Sequence, residues 1–216
     1  MTLQAHLSMK VPRTAHYALL GQSDSPPEDC WFVCHGYGQL AHRFLRRFEP
    51  ASRPGRLIVA PEGLSRFYVD GTNGTVGASW MTREGRDAEI EDHLRYLDAL
   101  TGLLLPDSDG EQPNLVLGFS QGCATASRWA ARGLARPATL VLWGELPAYD
   151  LTDADYHKLG SQGTRVRLVV GRQDPYLSLP AVERAAQSIE QHGLAVDIVA
   201  YDGGHEIDGS TLADIA

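Results

Sequence analysis

The residues most able to do chemistry together begin with Ser120, which lies in the run Gly118-Phe119-Ser120-Gln121-Gly122. A short apolar run precedes it, and an apolar stretch of helical spacing follows it. A serine on so sharp a turn between a strand and a helix is held in a strained backbone conformation, with its hydroxyl clear of the sheet. The pattern therefore predicts a nucleophile elbow. The alternative is a glycine-rich turn whose serine only caps the helix.

A base and an acid for such a serine follow later, each just past a predicted buried strand. Asp174 follows the strand at 166–170, and His205 follows the strand at 196–201. A histidine can take the serine proton, and an aspartate behind it can fix the tautomer and stabilise the imidazolium. We therefore predict Ser120, Asp174 and His205 as the catalytic residues, although each partner taken alone could be an ordinary loop residue.

Other residues compete for these roles. Glu145 follows the strand at 139–143 and is the best substitute for the acid, but it would need an unusual reach. His35 ends an early strand, and we expect its ring to pack and hold the glycine loop that follows. A metal site from His35, His42 and Asp202 lacks a ligand spacing that would imply it, so we expect no metal and no cofactor.

Tetrahedral intermediates of acyl transfer carry a developing oxyanion, so preorganised N–H donors belong beside the serine. The backbone amide of Gln121, next after the serine, is one predicted donor. The loop at 35–38, His-Gly-Tyr-Gly, follows an early strand and can supply another. We favour the amide of Tyr37, because glycines on both sides let the loop bend over the serine, though they are also ordinary in turns.

Strands and helices alternate along the chain, which predicts an α/β fold with a mostly parallel central sheet and helices on both faces. The longest predicted helix, Arg86–Leu104, has apolar residues at helical intervals. The other predicted helices lie at 40–48, 123–134, 150–159, 178–192 and 212–216. The predicted strands lie at 6–11, 14–20, 30–34, 57–60, 115–117, 139–143, 166–170 and 196–201, with a proline-rich loop at 23–29.

A long loop is predicted at 62–82, and loops of this length in a compact domain usually have a function. We expect the loops after the strands to form the mouth of the site, with apolar surface for an acyl chain or an aromatic group. Phe67 and Trp80 could instead pack this loop onto the sheet. No room for a lid domain is left between the strands at 139–143 and 166–170. The predicted substrate-binding side chains are Tyr37, Phe67, Tyr68, Trp80, Met81 and Tyr176, with Tyr149 as a further aromatic residue at the mouth.

Composition narrows the class of protein. The 216 residues suit one domain over 1–216, with an ordinary 43% hydrophobic and 21% charged residues. A net charge of −8 without a dense basic run argues against a nucleic-acid partner. A homodimer is left open.

The cysteines and the first residues of the chain bear on location. Cys30 and Cys34 lie on one predicted strand and Cys123 in the helix after the serine, so we expect all three to be buried and unpaired. Residues 1–10 lack the apolar run of a signal peptide or of a membrane segment. We therefore expect a cytoplasmic protein without stable membrane association.

The chain resembles a small serine esterase of the α/β-hydrolase superfamily, closest to the carboxylesterase/phospholipase group that includes the acyl-protein thioesterases. In this superfamily the three catalytic residues follow the order serine, acid, histidine along the chain. The resemblance implies Ser120 as nucleophile, Asp174 and His205 as its partners, and Tyr37 and Gln121 as oxyanion donors. It rests on the motifs H-G-Y-G at 35–38, A-P-E-G at 60–63, G-F-S-Q-G at 118–122, G-R-Q-D-P at 171–175 and G-G-H-E at 203–206.

Two departures from the thioesterases affect the expected substrate. The residue after His35-Gly36 is aromatic where the thioesterases tend to have leucine, and the stretch at 67–86 does not align with them. We therefore expect a hydrolase of short to medium acyl or aryl esters of small molecules, working through an acyl-enzyme on Ser120. The alternatives are a lysophospholipase or acyl-protein thioesterase, an acyltransferase or perhydrolase with the same residues, and a non-catalytic binding module on the same fold.

Overall fold

A seven-stranded sheet forms the centre of the fold, and a two-stranded hairpin forms a second, smaller sheet. The computed structural model describes residues 7–21, 27–105 and 113–216. The strands in this part of the chain are β1 (Tyr17–Leu20), β2 (Asp29–Cys34), β3 (Arg56–Pro61), β4 (Ser65–Tyr68), β5 (Val76–Ser79), β6 (Leu115–Phe119), β7 (Thr139–Trp143), β8 (Arg165–Gly171) and β9 (Val196–Tyr201). The α-helices are α1 (Ala41–Leu45), α2 (Arg86–Leu104), α3 (Gln121–Arg132), α4 (Asp153–Ser161), α5 (Leu179–Glu190) and α6 (Gly209–Ile215), and a 3₁₀ helix (Arg46–Ala51) follows α1.

The strands of the large sheet follow the spatial order β1-β3-β2-β6-β7-β8-β9. Every neighbouring pair runs parallel except β1 with β3. Parallel strands need crossover connections, and these carry helices over the faces of the sheet, so the central strands are apolar on both sides. The predicted mostly parallel sheet is confirmed.

Two apolar clusters cover the two faces of the sheet. Phe32 belongs to one cluster and Val33 to the other, because successive side chains of a strand point to opposite faces. Trp129 packs α3 into the first cluster, together with side chains of α2 and α5. Phe44 and Leu212 pack α1 and α6 into the second. The predicted placement of helices on both faces is therefore confirmed.

The predicted strand at 6–11 is wrong over residues 7–11, which have no regular structure. Leu7 and Met9 are 86% and 83% exposed, so their alternation with polar residues has no buried face behind it. The antiparallel edge strand begins only at Tyr17, where the backbone pairs with β3. His6 and residues 23–26 of the predicted proline-rich loop lie outside the described residues.

The predicted loop at 62–82 is also wrong in part, because it contains the hairpin of β4 and β5. Ser65 pairs with Ser79 and Tyr68 with Val76 in an antiparallel register. Four-residue strands with a glycine-rich turn between them have too short an apolar pattern to show in the sequence.

Polar capping residues set the first residue of two helices, so α4 begins later and α6 begins earlier than their apolar residues predict. Thr152 and Asp155 form a capping box, so α4 begins at Asp153 rather than at residue 150. Asp208 accepts the amide N–H of Thr211, which starts α6 three residues before the predicted position.

His93 is a histidine buried within the core. The ring of His93 on α2 is fully buried, and neither ring nitrogen has a hydrogen-bond partner among the described residues. Its centroid lies 6.1 Å from the Trp80 ring. Burial lowers the pKa of His93 to about 4, and the positive charge of Arg128 acts in the same direction. The imidazole is therefore neutral in the folded protein at neutral pH.

We predict that this histidine makes the fold sensitive to acid. Between about pH 6.5 and pH 4 the unfolded chain binds a proton at His93 that the folded chain does not, so the free energy of unfolding falls as the pH falls. The loss from this group is on the order of 3 kcal/mol. Denaturant titrations at pH 7 and at pH 4.5 should show a smaller difference in His93→Leu than in the original protein. An equal difference in both proteins would contradict this account.

Candidate active site

Ser120 stands in the predicted elbow between β6 and α3. Its φ of 51° makes it the only non-glycine residue with a positive φ in the described part of the chain. Such a conformation costs about 1–3 kcal/mol. A Cβ atom on residue 118 would lie 2.5 Å from the backbone nitrogen of Cys123, and one on residue 122 would collide with the carbonyl oxygen of Cys34. The predicted strain at the serine and the need for glycine on both sides of it are confirmed.

Asp174 and His205 are brought together by the loops after β8 and β9. The Nδ1 atom of His205 lies 2.7 Å from Oδ2 of Asp174, whose side chain is only 1% exposed. The other oxygen of Asp174 accepts the amide N–H groups of Tyr176 and Leu177 at 2.8 and 3.2 Å. Because a carboxylate only accepts, the proton of this pair is on Nδ1, and Nε2 is the nitrogen left for another partner.

Backbone hydrogen bonds also join the loop after β8 to the end of β9 and the loop that follows it. The amide of Gln173 donates to the carbonyl oxygen of Gly203 at 2.9 Å, and the amide of Arg172 donates to that of Tyr201 at 2.8 Å. The Tyr201 hydroxyl lies 2.8 Å from the carbonyl oxygen of Gly204, immediately before the histidine. The acid and the base are therefore fixed as one unit.

Ser120 and His205 border one cavity of about 430 Å³. The His205 ring lies with its centroid 5.0 Å from that of Phe119, the residue before the serine. The hydrogen bond of this ring goes to Asp174, and within the described residues none joins it to the serine hydroxyl. Contacts of this kind often close only when substrate is bound. The other residues around the cavity are Gly36, Tyr37, Gln39, Glu145 and Tyr176.

Two backbone amides beside the serine are free to act as donors. The amides of Tyr37 and Gln121 have no acceptor among the described residues. Gln121 is the first residue of α3, where an unpaired amide is expected. Its side chain is held in place, since its Oε1 accepts the Trp80 amide at 3.1 Å and its Nε2 donates to the Met81 carbonyl at 2.9 Å. Of the two predicted oxyanion donors, Gln121 therefore lies at the start of α3 and Tyr37 borders the cavity.

His35 holds the loop that carries Tyr37. Its Nε2 accepts the amide N–H of Gly63 at 2.9 Å, and its Nδ1 lies 2.7 Å from the Gly36 carbonyl oxygen. These contacts require the neutral ring with its proton on Nδ1. Burial lowers the pKa of His35 to about 4, which keeps that form at neutral pH. The expected structural role of this histidine is confirmed, and neither nitrogen is left for a metal.

The hairpin of β4 and β5 supports the same loop from outside. The amide of Gly38 donates to the Ala78 carbonyl at 2.9 Å, and the Tyr37 ring lies 5.0 Å from that of Phe67. Buried Glu62 accepts the first amide of α1, that of Ala41, at 3.0 Å, and it also pairs with Arg66 on β4. The motif Ala-Pro-Glu-Gly at 60–63 therefore links helix, hairpin and loop.

Only some of the predicted substrate-binding residues border the cavity. Tyr37 and Tyr176 border the cavity, and both are exposed. Phe67 packs on Tyr37 behind it, and Tyr68 is half exposed on the hairpin without bordering the cavity.

For Trp80 and Met81 the prediction of a place at the mouth is wrong. They are 2% and 6% exposed, and the indole of Trp80 donates to the His35 carbonyl at 2.8 Å. Both belong to the core because the chain after β5 turns inward toward α3. Tyr149 lies away from the cavity, over the guanidinium group of Arg86.

The cysteines and the alternative acid take no part in this arrangement. Cys30, Cys34 and Cys123 are buried and free, as predicted. Burial, with a smaller contribution from the charge of Glu145, raises the pKa of the Cys123 thiol. The Glu145 carboxylate accepts the Leu146 amide at 2.8 Å and makes no contact with His205. Among the described residues, no three His, Cys, Asp or Glu side chains are grouped as metal ligands.

Gly144 is a site residue that the sequence analysis missed. It follows β7 with a φ of +73°, and a Cβ atom there would lie 3.0 Å from Cε1 and 3.1 Å from Nδ1 of His205. The backbone at this position therefore packs directly against the ring that Asp174 holds. The sequence did contain one signal for this residue: Gly144 comes immediately after β7, which lies next to β6 in the sheet.

Comparisons with known proteins agree with this fold. Neither the family models nor the curated proteins compared with the chain gave a match. The crystal structure of esterase PE8 is 22% identical, with a TM-score of 0.68 over 93% of this chain and 95% of its own. That of Zea mays acyl-protein thioesterase 2 is 14% identical, with a TM-score of 0.68 over 94% of this chain and 96% of its own.

A third structure, the Bacillus cereus carboxylesterase, is 15% identical, with a TM-score of 0.67 over 93% of this chain and 91% of its own. At these identities the likeness is one of fold. Together with the sheet order and the elbow, it shows that the chain has the α/β-hydrolase fold, as predicted.

The position of Gly144 leads to a prediction about the His205–Asp174 contact. Gly144→Ala should displace the imidazole and remove the low-field proton resonance of a histidine N–H bonded to a carboxylate. Gly163 provides a matched control, because its φ is +74° and a Cβ atom there would meet nothing within 4 Å. Both alanine variants should lose about 1–2 kcal/mol of stability from the left-handed backbone. Only Gly144→Ala should lose the resonance. If the resonance persisted in this variant, the imidazole would have space for the added methyl group and the prediction would be wrong.

Proposed function

We propose that the protein is a serine hydrolase that cleaves carboxylic esters through an acyl-enzyme on Ser120. The observation that carries the proposal is one cavity bordered by a strained serine, a histidine already hydrogen-bonded to a buried aspartate, and Tyr37, whose amide is free. The free amide of Gln121 belongs to the residue directly after the serine. The esterases and the thioesterase with the same fold support this class of reaction. We further propose small-molecule esters with short to medium acyl or aryl groups as substrates, and a cytoplasmic location.

In the first half of the reaction, Ser120 Oγ attacks the carbonyl carbon of the ester, and Nε2 of His205 takes the hydroxyl proton. Asp174 stabilises the resulting imidazolium through Nδ1. The oxygen that gains negative charge accepts hydrogen bonds from the amides of Tyr37 and Gln121. One such donor contributes about 3 kcal/mol to the transition state in known cases. The imidazolium then protonates the leaving alcohol, and the acyl group remains on the serine.

In the second half, water replaces the alcohol in the same place. His205 takes a proton from the water as its oxygen attacks the acyl carbon. The same two amides hold the oxyanion until the bond to Ser120 Oγ breaks, and the imidazolium returns a proton to the serine. A thioester would follow the same two steps, with a thiol as the leaving group.

Removing the nucleophile tests this proposal. We expect Ser120→Ala to abolish ester hydrolysis and also labelling by a fluorophosphonate, because among the described residues that border the cavity no other serine, threonine or cysteine accompanies His205. Activity should be measured with aryl esters of graded acyl length, and the labelled residue should be identified by mass spectrometry. Labelling of the variant at another residue, for example Cys123, would overturn the assignment.

The acid can be tested by the same assay. Asp174→Asn should lower kcat by about 10⁴-fold, as in serine proteases, because the amide favours the wrong histidine tautomer. Glu145→Gln is the matched comparison and should cost far less, since this carboxylate makes no bond to the histidine ring. If Glu145→Gln were the more damaging change, Asp174 would not be the acid.

The hairpin bears on how the substrate enters. It is tied to the loop at 36–39 by the Gly38–Ala78 hydrogen bond and by the bridge between Gln39 and Ala78. The chain that leaves it is tied to α3 by the side chain of Gln121. A segment with these attachments supports the loop that borders the cavity and is not a cover that must open on a lipid surface.

We therefore expect no interfacial activation. Hydrolysis rates of a medium-chain ester should rise smoothly with substrate concentration through its critical micelle concentration, because the cavity is already open to single molecules. A sharp rise above that concentration would show that the hairpin moves as a lid and would favour a lipase.

A further inference from the structure

Glu145 is the one carboxylate on the cavity wall that the proposed reaction does not use. It follows Gly144, whose backbone packs against the His205 ring, so it enters the cavity next to the reacting groups. The residue is exposed, and its carboxylate accepts a single hydrogen bond, from the amide of Leu146. No lysine or arginine among the described residues pairs with it. Its negative charge is therefore available to a bound molecule.

Glu145 also borders a second hollow. A groove of about 530 Å³ lies between α3, the segment after β7, α4 and α5, and Glu145 and Gln121 line it. Most of its other walls are apolar, among them Ala124, Leu146, Pro147 and Ile189. Since Glu145 borders both hollows, a substrate that extends from Ser120 into the groove passes this residue.

Two exposed aromatic residues share the cavity with Glu145. Tyr37 and Tyr176 are 60% and 78% exposed and border the same space as Glu145. The faces of such rings attract cations, and a nearby carboxylate adds to that attraction. A carboxylate or phosphate in the substrate would instead be repelled by Glu145, in a protein whose net charge is −8.

We propose that Glu145 sets the charge preference of the site, so that the preferred esters carry an ammonium or other cationic group within reach of this carboxylate. The inference rests on the proposed ester hydrolysis at Ser120 and names its substrate class. Glu145 acts here on the substrate through charge and takes no part in the proton transfers.

The test compares three aryl esters of equal acyl length that end in trimethylammonium, tert-butyl or sulfonate groups. A second set, acetate esters of choline and of its tert-butyl analogue, places the cation in the alcohol part. At low salt we expect kcat/KM for the cationic ester to exceed that of its neutral isostere by about fivefold in at least one set. The sulfonate ester should be the poorest substrate, and the preference should shrink at high salt.

Glu145→Gln should remove the preference while Glu190→Gln keeps it. Glu190 is an exposed carboxylate at the last residue of α5, and it borders neither the cavity nor the groove. The ratio of the two substrates cancels any general effect of Glu145 on the imidazolium. Hydrolysis with equal rates for all charges, or a preference unchanged in Glu145→Gln, would overturn the inference and leave the proposed function intact. No hydrolysis of any ester together with no fluorophosphonate labelling would overturn both.

Discussion

The site depends on one close approach, where the turn after β6 meets the turn after β2 with no space between them. Gly122 at the start of α3 lies directly against the carbonyl group of Cys34, and Gly118 lies against the backbone of Cys123. A single methyl group at either position would separate the helix from the sheet. Because the two turns touch, the loop that carries the Tyr37 amide lies close to Ser120 and to the Gln121 amide that follows it. The strain at the serine is maintained by this packing.

Two further attachments convert that contact into a rigid site. On one side, His35, Glu62 and the hairpin fix the loop at 36–39 through hydrogen bonds, and those of His35 and Glu62 are buried. On the other side, the loops after β8 and β9 are bonded backbone to backbone, so Asp174 and His205 move together. Side chains positioned in this way lose little further entropy on binding, which favours a preorganised site.

Much of this could be predicted because the chemistry is encoded in short motifs. The elbow at Ser120, the positions of Asp174 and His205 after their strands, and the parallel sheet each follow from local patterns that have few alternatives. The burial of Trp80 and Met81 could not be predicted, since it depends on the hairpin and on the distant side chain of Gln121. Gly144 was missed for the same reason, because its neighbour His205 is far away in the sequence.

The ionisable side chains around the site differ in burial, since His35 is buried and Glu145 is exposed. His35 stays neutral at neutral pH because desolvation opposes its protonation, and so its bond to Gly63 does not change when charge develops in the cavity. In the proposed reaction, the loop that carries the Tyr37 amide would therefore keep this hydrogen bond while protons move between Ser120 and His205. Glu145 is exposed and has no cationic partner among the described residues, which is why we assign its charge to the recognition of substrate. A site built in this way can change its preferred substrate at residue 145 while the proton-transfer residues and their supports stay the same.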